Sequence, residues 1–68
     1  MSSEELKSVA AEMSSGTMTP ELRARFIAVR AALFTRGIYD PVLVRFDSAT
    51  VPQVSAAEAG EALMKWGD

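Results

Sequence analysis

The stretch from Thr19 to Ile38 constrains this chain more than any other, because both of its ends are marked and its apolar residues fall on two sides. Thr19-Pro20-Glu21 is a helix start: Thr19 can cap, Pro20 suits the first helical position, and Glu21 faces the positive end of the helix dipole. The residues up to Arg36 are rich in Ala, Leu and Arg, which favour helix. Gly37 then supplies a stop, with Ile38 placed for a Schellman-type contact back to Leu33. A helix over about 20–36 follows. At about 100° per residue, Leu22, Phe26, Val29 and Leu33 form one stripe. Ile27, Ala31, Phe34 and the flanking Ile38 form a second, roughly 120–140° away. Arg23 and Arg30 lie between the stripes, and Arg25 and Arg36 lie on the far flank. A surface helix needs only one apolar stripe.

Two further helices are readable. Leu6, Val9, Ala10 and Met13 fall on one face of a helix over about 3–14, started by Ser2 and Glu5 at capping-box spacing and stopped near Gly16. Ser55 and Glu58 repeat that spacing before a helix over about 56–66, where Ala59, Ala62, Leu63 and Trp66 make the apolar face. Gly60 inside it costs about 1 kcal/mol relative to Ala and permits a close helix approach. Between these helices, Val42, Val44 and Phe46 alternate as in a strand, yet Asp40 before Pro41 is also a helix start. A lone strand would leave its backbone groups unpaired. A short fourth helix over about 41–47 is therefore the favoured reading, and a strand pairing with a second copy is its alternative. The fold class expected is all-α: one domain, 1–68, a small bundle of three main helices with a short fourth.

Bulk properties limit what such a domain can do. The chain has 68 residues, no Cys and no His, which removes disulfides, thiolate metal sites and the commonest transition-metal ligand. With 49% hydrophobic and 24% charged residues it has a globular balance rather than a disordered one. The net charge of −2 gives no bulk attraction to nucleic acid or anionic lipid. No apolar run reaches the roughly 18–20 residues of a membrane span. The acidic Met1-Ser2-Ser3-Glu4-Glu5 start lacks the layout of a signal peptide, so a cytoplasmic location is expected.

Catalysis has little to work with. Glu58 and Glu61 share a face, as do Glu5 and Glu12, but each set reads as solvated surface. No His is present to activate a serine, and no phosphate loop or EF-hand pattern appears. No catalytic residue, cofactor or metal is expected, and the chain is not expected to be an enzyme.

Five of the seven basic residues lie between Arg23 and Arg45, which makes a nucleic-acid-binding regulator the alternative reading. Against it, the arginines of the central helix point to separate flanks, and a recognition helix at 56–66 would present Glu58 and Glu61 to phosphate. A core this small rarely gains more than about 3–5 kcal/mol unaided, which favours oligomerisation. The expected function is a protein–protein interaction or regulatory module that pairs with a second copy, a dimer first, or with another protein. Its expected contact residues are Ile27, Arg30, Phe34, Ile38, Tyr39, Val42 and Arg45.

Overall fold

The computed structural model describes residues 3–46 and 54–67, which form four helices: α1 (Ser3–Ser14), α2 (Pro20–Thr35), α3 (Pro41–Arg45) and α4 (Ala56–Met64). The fold is all-α, a small helical bundle, with no strand among the described residues. The segment at 41–46 is therefore helix and turn, not strand. Asp47, the expected last residue of that helix, and Ser2, the expected cap of α1, lie outside the described residues.

Local chemistry accounts for the boundaries. Thr19 caps α2 by accepting from the Leu22 amide at 3.1 Å, with Pro20 in the first turn. At the other end, Gly37 has φ 84°, a left-handed conformation that costs glycine nothing. Its amide donates to Phe34 O at 2.9 Å and the Ile38 amide to Leu33 O at 3.0 Å, which completes a Schellman motif. The helix closes at Thr35 with Arg36 as cap, one residue short of the expected end. Asp40 caps α3 through the Val42 amide at 2.9 Å. Ser55 caps α4, accepting from the Glu58 amide and donating to the Glu58 carboxylate, both at 3.2 Å. That helix ends at Met64, two residues before the expected Trp66.

The core is the sum of one stripe from each helix. Leu6, Val9, Ala10 and Met13 of α1 meet Leu22, Phe26, Val29 and Leu33 of α2, Leu43 of α3, and Ala59, Ala62 and Leu63 of α4. Eight side chains, from Val9 to Phe26 in size, are fully buried. Fully burying one such side chain stabilises by about 1.5–3 kcal/mol. Met18, Ile38, Val42, Phe46, Val54 and Trp66 close the edges of this cluster.

The closest pair is α1 and α4; α1 also packs against α2, and α4 against α3. Gly60 explains how closely α4 approaches: a Cβ there would stand 2.7 Å from Ser14 N and 2.8 Å from Ala10 O. Only one of the two stripes of α2 is internal, since Ile27 and Ala31 of the other are exposed. Total accessible surface is 4100 Å², close to the about 4,200 Å² of a compact monomer of this mass. The amount of surface is ordinary, so the distribution of apolar groups on it is what carries information.

Candidate interaction surface

The two flanks of α2 are occupied by different neighbours. On one side Arg25 reaches α1, donating to Glu5 Oε1 at 3.2 Å, Glu12 Oε2 at 2.7 Å and Ser8 Oγ at 3.1 Å. These contacts hold its pKa above the usual arginine value, chiefly through the hydrogen bond to Glu5, with desolvation opposing and attraction to both glutamates adding. On the other side Arg30 donates to Leu43 O at 3.1 Å, near the C-terminal end of α3, where partial negative charge collects. Its guanidinium lies 5.2 Å from the Phe26 ring centre and 5.9 Å from that of Phe34. Arg23 lies 5.7 Å over Phe46, whose ring meets Phe26 edge-on at 5.0 Å. The arginines of α2 thus cover aromatic rings and tie helices together.

Between those flanks lies the outer arc of α2. Pro20, Ala24, Ile27, Ala28, Ala31 and Thr35 are exposed and Phe34 is half-buried. None carries a charge. Ile27 is 43% exposed. Phe34 stacks on Tyr39, with centroids 5.1 Å apart and planes at 29°, and Tyr39 is itself 66% exposed. Pro20, Ala24, Ile27, Ala31 and Phe34 succeed each other at intervals of four, three, four and three residues, the 3.5-residue repeat of a helix that packs along another helix.

The residues expected at a contact fall into two groups. Ile27, Phe34 and Tyr39 share this outer surface, with half-buried Arg30 at its edge. Ile38 and Val42 turn inward and pack against the core, so much of their surface is already covered. Arg45 is exposed at the end of α3. Asp40 is 8% exposed and engaged by the Val42 amide and the Trp66 indole. Sequence reasoning missed Pro20 and Ala24. Their 3.5-residue spacing was available, but small and cyclic residues give a weak apolar signal.

Comparison with models of protein families, with curated proteins and with solved structures gives no match for this chain. The surface has to be read from its own chemistry. Among the described residues no group of three or more acidic side chains is placed to hold a metal, and no helix is long and apolar enough to cross a membrane.

Proposed function

We propose that this protein is a small protein–protein interaction module that self-associates through the outer face of α2. The observation that carries the reading is the uncharged arc from Pro20 to Thr35, with Ile27 and the Phe34–Tyr39 stack standing out of it. Large aliphatic and aromatic side chains left in water on one continuous face are a contact surface in search of a partner. Aromatic residues are also the side chains most enriched where binding energy concentrates. The opposite stripe, Leu22, Phe26, Val29 and Leu33, already supplies the core, so the outer face is not needed to hold the monomer together.

The arginine-based alternative, a nucleic-acid-binding regulator, is weakened by the same geometry. Arg25 is committed to Glu5 and Glu12, and Arg30 to Leu43 O and two rings. Phosphate contacts would have to compete with these interactions.

Sedimentation velocity of the purified protein, compared with Ile27→Glu, tests the reading. The expected result is a concentration-dependent oligomer that the variant reduces to a monomer of unchanged helical circular dichroism. A wild-type protein that stays monomeric at high micromolar concentration would overturn it. A cytoplasmic location belongs to the same proposal, resting on a chain without cysteine. Recovery of the tagged protein outside the cytoplasmic fraction would remove it.

A further inference from the structure

We draw no further inference here: the strongest candidate, the uncharged outer face of α2 with Ile27 and the Phe34–Tyr39 stack, is an unpartnered apolar face, and nothing in the structure shows what covers it.

Discussion

The Trp66 indole N–H donates to Asp40 Oδ2 at 3.2 Å, joining the end of α4 to the start of α3 across 26 residues of sequence. The other oxygen of that carboxylate caps α3 by accepting from the Val42 amide at 2.9 Å. One side chain therefore starts a helix and closes the edge of the core.

Removing that carboxylate should be felt twice. Asp40→Ala loses a cap, worth about 1 kcal/mol, and leaves a partly buried indole N–H without its acceptor, a further cost of about 1–3 kcal/mol. Asp40→Asn keeps one acceptor oxygen, so it can serve the Val42 amide or the Trp66 indole but turns its NH2 toward the other donor, and its loss should be intermediate. Thermal unfolding followed by circular dichroism measures the difference, and Trp66 fluorescence should shift to the red in the alanine variant.

Gly60 sets two effects against each other. Alanine is the better helix former by about 1 kcal/mol. Its Cβ, however, would stand 2.7 Å from Ser14 N and 2.8 Å from Ala10 O, both backbone atoms that move only with the helix. Overpacking of this kind costs about 1–3 kcal/mol, so Gly60→Ala should destabilise despite its propensity. In a chain of this length each 1 kcal/mol is about 4–8 °C of melting temperature. A melting temperature at or above wild type would show that α1 and α4 can separate freely.

The two stripes of α2 should respond differently to truncation. Leu33 is fully buried, and Leu33→Ala should cost about 2–5 kcal/mol, enough to unfold much of a domain of this size. Ile27→Ala should leave the isolated chain within about 0.5 kcal/mol of wild type, as surface substitutions do. Chemical denaturation under dilute conditions, where association does not contribute, compares them.

Arg25 joins α1 to α2 from a half-exposed position. Arg25→Met, which keeps most of the aliphatic stem, should lower the melting temperature less than Asp40→Ala does. The difference from wild type should shrink further in molar salt, because exposed ion pairs are screened. The sign of its pH dependence follows from a pKa raised in the folded state. The contribution is complete below the ordinary arginine range and is lost only as pH rises through the raised value, so titrating Arg25 itself leaves stability flat across neutral pH. A deficit in Arg25→Met that persists undiminished at high salt would show that packing, not charge, carries the contact.

The helices and their inward faces were legible because local rules and packing agree there. Thr19 with Pro20, Ser55 with Glu58, and Gly37 with Ile38 each act within a few residues, and the stripe Leu6, Val9, Ala10, Met13 repeats with the period of the helix it forms. The ambiguous 41–46 segment resolved as helix because Asp40 and Pro41 start one locally and no strand is available as a partner among the described residues. Ile38 and Val42 were harder to place. Both flank turns, where spacing does not define a face, and both were drawn into the edge of the core.

By itself, then, the sequence determined an all-helical chain, the ends of its main helices to within two residues, and the two-sided character of α2. Only the tertiary structure decided which neighbour takes which side. It made α1 and α4 the closest pair, because Gly60 lets α4 approach α1 more closely than any side chain would allow. It also spent Arg25 and Arg30 on α1 and α3. Those are long-range pairings, and the 3.6-residue period of a single helix cannot encode them: periodicity says that a face is apolar, and only the other helices say whether that face is covered.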